Sequence, residues 1–239
     1  MERWWIGDIL TLAVAGGLYW LAFRPDEAAA AAPLPFLHPL FTDHMGLQRD
    51  RPVPVWGWTK PGARVTVTLA GKPVTALAGR DGRWEAVVGP LPAGGPHTLE
   101  VSGPEKVAIN DVMAGDVWLC SGQSNMQMGI GECLDAKAEI AAADHPGIRL
   151  FTAPNRIAAT PEKTLSARWE VCTPATVARG GWGGFSAAAY YFGRFLHREL
   201  KVPIGLIHAS WGGTVAEAWV SKASLVPLGD FASALAAHE

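Results

Sequence analysis

The residues Cys120, Ser121, Gly122, Gln123, Ser124, Asn125 and Met126 follow directly on Asp116-Val117-Trp118-Leu119. A short β-type run that stops at a Ser-Gly pair and continues through two amides and a second serine has the composition of a strand-to-loop elbow. A serine hydroxyl is a weak nucleophile until a base can take its proton and donors await the developing oxyanion. A tight turn after a buried strand supplies that placement. Gly122 permits close backbone approach, and the Ser124 amide can itself serve as an oxyanion donor. Position 126 is Met, so this is not the GxSxG elbow. On spacing alone, a satisfied loop serine is the commoner outcome.

Other residues with chemistry to offer have structural readings beside the functional ones. Trp182 and Trp211, each flanked by glycine, can stack on a sugar ring or pack at a domain edge. Glu217 can orient a catalytic group or a sugar hydroxyl, and equally can be a dipole partner in the first turn of a helix. Asn125 can fix the elbow through side-chain to backbone bonds or face a substrate. His208 stands before Ala209-Ser210-Trp211-Gly212-Gly213-Thr214, where it can line a pocket. Asp43-His44 looks like a dyad on paper but falls in a β-rich region, and its reading is structural. Tyr190 and Tyr191 belong to a helical stripe and are expected in the core.

The elements that must position these residues divide near residue 111. From about Pro33 to Asn110 the period is two: Val53-Val55 with Trp56 and Trp58, Val65-Val67-Leu69, Val74-Ala76, Trp84-Ala86-Val88 and Leu99-Val101 alternate with polar residues. Turn chemistry at Lys60-Pro61-Gly62, Arg80-Asp81-Gly82 and Pro92 to Pro96 separates them, which predicts a small antiparallel β-sandwich over 33–110 without helices. Beyond Asp111 come the run Val117–Cys120, a helix-like Leu134–Ala143, a strand-like Ile148–Phe151, a helix over Ser186–Leu200 with Ser186 as its cap, and a strand Ile204–His208. Alternating strands and helices predict a parallel sheet with helices packed on it, an α/β unit over 111–239. Catalytic loops gather at the carboxyl ends of such strands, and both Ser124 and Trp211-Gly212-Gly213 hold that kind of position.

Composition narrows the classes. With 20 basic and 22 acidic residues there is no electrostatic footprint for nucleic acid or for an anionic membrane surface. Eleven tryptophans among 239 residues are compatible with sugar binding, although core burial is their commoner use. Residues 9–23 form a nearly uncharged run followed by Arg24 and the alanines at 28–32. Fifteen positions fall short of the roughly 20 that a spanning helix needs, so residues 1–32 are expected to be an export signal with an Ala-rich cleavage region. An uncleaved anchor through residues 4–23 and a buried helix are the competing readings. Either of the first two puts the protein in the periplasm or outside the cell. Cys120, Cys133 and Cys172 show no metal-type spacing, and Cys133 with Cys172 can pair only in an oxidising compartment.

Gly122-Gln123-Ser124-Asn125-Met126 closely resembles the first block of the SGNH-hydrolase carbohydrate acetylesterases, and in particular of the sialate O-acetylesterase family. Leu40-Phe41-Thr42-Asp43-His44-Met45, Pro52 to Trp58, Asp81-Gly82-Arg83-Trp84, Gly115-Asp116-Val117-Trp118, Phe185-Ser186-Ala187-Ala188 and Trp211-Gly212-Gly213-Thr214 through Glu217-Ala218-Trp219 extend the likeness over about Leu34 to Leu225. The resemblance implies a β-rich first domain and an SGNH-type (flavodoxin-like) α/β/α hydrolase domain that removes O-acetyl groups from sugars, with O-acetylated sialic acid as the leading substrate. Ser124 matches the nucleophile. Gln123, Gly184, Gly213 and Thr214 match the regions that build the oxyanion hole, with Asn125, Trp182, His208, Trp211 and Glu217 as candidate substrate contacts. No metal or organic cofactor is implied.

One part of the family pattern is missing. The general base is a His in an Asp-x-x-His block, and that block occurs nowhere in this sequence. His38, His44, His97, His145 and His197 fall in other elements, His208 matches no catalytic position, and His238 is the second-last residue. The expectation is therefore an N-terminal portion of the hydrolase, with the base on a C-terminal segment or on a partner chain. Alternatives are an acetylxylan or other polysaccharide acetylesterase, and a non-catalytic carbohydrate-binding or interaction protein.

Overall fold

Period-two alternation becomes strand pairing around one core. The computed structural model describes residues 33–158 and 161–236; the expected signal or anchor over 1–32 and His238 lie outside them. After β1 (Gly46–Gln48) come β2 (Val53–Trp58), β3 (Arg64–Leu69), β4 (Lys72–Leu77), β5 (Arg83–Val88) and β6 (Gly94–Ser102). β2 and β5 form an antiparallel pair, while β4, β3 and β6 lie side by side and continue into β7 (Lys106–Gly122). Val55, Val65, Val67, Trp84, Leu99 and Val101 are buried in one cluster from both sheets. The Trp84 indole donates to Phe36 O at 2.9 Å, which satisfies its buried N–H. No helix occurs among the described residues before 111.

β7 is 17 residues long and takes part in two kinds of pairing. Its first half runs antiparallel to β6, and Asp116–Gly122 runs parallel to a later strand, β10. The change of pattern near residue 111 falls inside β7, at Asp111 with φ 55°, a left-handed residue that kinks the strand. Between β7 and β10 the chain forms α1 (Ser124–Gln127), α2 (Ala136–Ala141), β8 (His145–Thr152), β9 (Trp169–Cys172), α3 (Pro174–Val177) and α4 (Ala187–Leu200). β10 (Ile204–Ser210) is followed by α5 (Lys222–Leu225) and α6 (Ala232–Ala236).

β10 lies between β7 and β8, parallel to both, and β9 closes the edge antiparallel to β8. A flavodoxin-like order would set the first parallel strand between the second and the third; here the third holds the middle. The other edge of β7 is partly taken. β1 pairs with Met113–Gly115, and Gln48 Oε1 accepts from the Val117 amide at 3.0 Å. Farther along that edge Leu119 is 68% exposed.

α4 covers this sheet because its sequence sends Ala187, Ala189, Tyr190 and Gly193 inward. Ser186 caps it, its Oγ accepting from the Ala189 amide at 3.2 Å. A side chain at Gly193 would meet Leu206 Cδ1 at 2.7 Å, so glycine sets how closely helix and strand approach. Tyr190 packs with Ile130, Ile148, Leu150, Ile204 and Leu206 in a second core.

A buried ion cluster ties β7, β8 and the segment before β1. Arg149, 4% exposed, donates to both Asp111 oxygens at 2.6 and 3.0 Å, and His44 Nδ1 lies 2.7 Å from Asp111 Oδ2. The hydrogen bond from Arg149 is the main cause that holds the Asp111 carboxyl below the usual carboxylate range. Asp43 does not face His44 as a dyad would; its Oδ1 accepts from the Asn110 amide at 2.7 Å. All three cysteines are free thiols, and burial pushes Cys172 up to about 12. Among the described residues no helix is long and apolar enough to cross a membrane.

Candidate active site

β7 delivers its last residue, Gly122, with φ 146°, and the chain turns there into α1. Two glutamines then stitch this elbow to the loop after β10. Gln123 Oε1 accepts from both the Ser124 amide at 3.1 Å and the Ser124 hydroxyl at 2.7 Å, while its Nε2 donates to Thr214 O at 3.2 Å. Gln127 Oε1 accepts from the Gly212 amide at 2.7 Å, and the Trp211 amide donates to Gly122 O at 3.0 Å. Glycine is required at 212, because a Cβ there would come within 2.7 Å of Gln127 Oε1 and 3.5 Å of Ser124 Oγ. The carboxyl ends of β7 and β10 thus place Ser124 against Gly212, as strand ends do in open parallel sheets.

The hydroxyl of Ser124 points at an amide oxygen, which is not a base. Its amide, the expected oxyanion donor, is already used within the elbow. None of the described histidines hydrogen-bonds Ser124: His38 accepts from Leu40, His44 meets Asp111, His145 meets Tyr190, His197 donates to Val202 O and His208 meets Ser210. Attack by Ser124 therefore needs a rotation of the hydroxyl and a proton acceptor beyond these contacts.

The other candidates separate into two groups. Gly213, with φ 78° and open space where a Cβ would stand, sits beside Thr214 in the loop that Gln123 and Gln127 hold. Trp211 lies in the same loop. Gly184 is elsewhere: its amide closes a turn onto Gly181 O at 3.1 Å, and a Cβ would strike Val177 O at 2.4 Å. Its segment supports α1 from below through Gly129 N to Trp182 O and Gly131 N to Gly183 O, at 2.9 and 2.7 Å. Trp182 offers a half-exposed ring away from the Trp211 loop's pocket. Asn125 is exposed on α1, and Glu217 is exposed in the single 3₁₀ turn Ala216–Trp219.

His208 lies in the core and not on a pocket wall. Alternation along β10 sends 204, 206, 208 and 210 to the face covered by α4, where His208 is 7% exposed, packs on Phe185 and bonds Ser210 Oγ at 2.5 Å. Burial lowers its pKa, and its Nδ1 has no hydrogen-bond partner. A proton on Nδ1 would be an uncompensated buried donor, so the neutral ring with the proton on Nε2 fits this environment.

The opposite face of β10 opens onto a cavity of about 580 Å³ walled by residues 153–158 on one side and by Ala209, Trp211, Thr214, Ala218 and Trp219 on the other. Thr214 Oγ1 donates to Trp211 O at 2.7 Å and accepts from Trp219 Nε1 at 2.8 Å, fixing both indoles. Asn155, Arg156 and Trp219 are lining residues that the sequence does not single out. No local spacing links 153–158 with 209–219. Only the pairing of β8 with β10 brings their following loops together. Among the described residues no group of three His, Cys, Asp or Glu converges as metal ligands would.

A strand-end serine elbow beside an indole-walled pocket is the arrangement of a carbohydrate esterase, and the comparisons agree. Residues 114–229 match the family model described as "Carbohydrate esterase, sialic acid-specific acetylesterase", and through them the chain belongs to that family. The sialate O-acetylesterase of Rattus norvegicus is 37% identical over 193 residues, which are 73% of this chain and 35% of that protein. The sialate O-acetylesterase of Homo sapiens is 37% identical over 190 residues, 73% of this chain and 36% of that protein. The crystal structure of a carbohydrate acetylesterase from Xanthomonas citri superposes with a TM-score of 0.75 at 38% identity, over 80% of this chain and 43% of that one. The chain thus spans about a third of the length of the curated relatives it matches.

Proposed function

We propose that this chain carries the nucleophile and part of the sugar pocket of an exported sialate O-acetylesterase with an SGNH-type catalytic half and a β-sandwich before it. The carrying observation is the elbow: Ser124 stands at the end of a central strand, 3.5 Å from the position a Gly212 Cβ would take. Ser124 Oγ attacks the acetyl carbonyl, its proton passing to a histidine outside the residues described. Free amides at Gly213 and Thr214, joined by the Ser124 amide once Gln123 releases it, hold the oxyanion. The sugar hydroxyl leaves with the base's proton, and water then frees acetate and regenerates the serine.

The position of the Ser124 hydroxyl supports a second reading. It is held by an amide and met by no described histidine, as suits a protein that binds acetylated sugar without turning it over. The Xanthomonas relative, called a carbohydrate acetylesterase, likewise supports acetylated polysaccharide as an alternative substrate.

Hydrolysis of an aryl acetate and of O-acetylated sialic acid, beside Ser124→Ala, tests the proposal. Turnover is expected to fall by several orders of magnitude in the variant. Equal turnover by both proteins would remove Ser124 as nucleophile. Sugar binding without turnover, in protein shown folded by circular dichroism, would favour the binding reading.

A further inference from the structure

We propose that Arg156 receives the carboxylate of the sugar, so that the pocket beside Ser124 is built for an acidic monosaccharide in preference to a neutral one. This rests on the assignment of Ser124 and its pocket to ester hydrolysis, and it adds the group that selects the substrate.

Four observations carry it. The cavity of about 580 Å³ is in the size range of small-molecule sites. Its wall is continuous with the elbow, since Trp211 bonds Gly122 and Thr214 bonds Gln123. Arg156 is the only charged residue in the lining, which includes no carboxylate to repel an anion. Its guanidinium is also free to accept a ligand. The side chain is 57% exposed and makes no hydrogen bond among the described residues, and its one ionic neighbour, Glu162, stands at 3.9 Å, beyond hydrogen-bond reach.

The chemistry follows from shape. A guanidinium presents parallel N–H donors that match a carboxylate in two bonds, whereas a neutral sugar offers it only single hydroxyls. Trp211 and Trp219 supply apolar faces for the ring and its substituents. A ligand carboxylate replaces Glu162 as the partner of Arg156, trading a loose ion pair for a bidentate one. The indoles give affinity for sugar in general, and Arg156 discriminates among sugars.

Binding is the readout, because it does not require the proton acceptor. N-acetylneuraminic acid, its methyl ester and glucose are titrated by ligand-observed NMR against the 239-residue chain, Arg156→Ala, Arg156→Lys, Glu162→Gln and Ser124→Ala. The free acid is expected to bind about tenfold or more tighter than its ester, the worth of a charge-assisted hydrogen bond. Arg156→Ala should erase that ratio while leaving the ester and glucose unchanged, and Arg156→Lys should restore part of it. Glu162→Gln should leave the ratio intact or raise it, and Ser124→Ala should not alter it. Equal binding of acid and ester by the unmodified chain, an unchanged ratio in Arg156→Ala, or no binding of the acid at 10 mM (a concentration on the order of the weakest specific affinities) would overturn the proposal. Loss of hydrolysis with the ratio preserved would instead count against the esterase assignment alone.

Discussion

Residues in this protein are decided by which face of a strand they occupy. His208 and Ala209 are neighbours in sequence, yet one is buried under α4 and the other lines the sugar-sized cavity. The serine elbow was legible in the sequence because its signal is local: a strand end, a glycine, a serine. The cavity was not, since Asn155, Arg156 and Trp219 acquire meaning only after β8 and β10 pair. A pH effect belongs at this scale. Burial lowers the folded-state pKa of His208, and burial is also the first cause of the lowered values at His38 and His145. The unfolded chain therefore binds more protons just below pH 6.5, the ordinary histidine value. Stability fully present above about pH 6.5 is lost as pH falls toward the folded-state values. Urea midpoints measured between pH 7.5 and 5, a range on either side of that value, should fall with pH. His208→Gln should flatten the slope, and an unchanged slope would show that His208 does not contribute.

Elements meet here at glycines where backbone passes close to backbone. A Cβ on Gly115 would lie 2.0 Å from Pro203 O, at the point where β7 leaves β6 and takes up β10. Gly115→Ala must push two main chains apart and is expected to cost about 3 kcal/mol, the upper part of the usual range for overpacking. Gly181→Ala, where nothing stands within 4 Å, should be nearly neutral in the same chemical denaturation series. If both cost the same, the close approach is not what glycine serves. Strand content was visible wherever alternation ran for five or six residues, as in β3 and β5. β1 and β9 escaped notice because each has only three or four residues, too few for a period to show. The full length of β7 was hidden for another reason: Asn110-Asp111 looks like a turn, and the left-handed Asp111 makes one without ending the strand.

At the scale of the molecule, the described residues from Leu34 onward form one compact unit, and the Asp111, Arg149 and His44 cluster lies at its middle. Removing one partner of a buried pair leaves a charge without compensation, which costs about 3–5 kcal/mol where both groups are dry. The Asp111 side chain is a third exposed, so Arg149→Met should cost nearer the lower figure. Arg149→Met with Asp111→Leu should recover most of the loss. A double variant as unstable as the single would show that the cluster acts through shape and not through charge. The long strand β7 has a consequence of another kind. Because its side chains alternate from Lys106 to Gly122, it sets a common phase for everything attached to it. One residue inserted between Val112 and Asp116 would turn every later side chain to the opposite face. Cys120 would rotate out of the core and the elbow would present Ser124 to the wrong side of the sheet. Length may change freely in the turns on either side, but within β7 it can change only in steps that preserve parity.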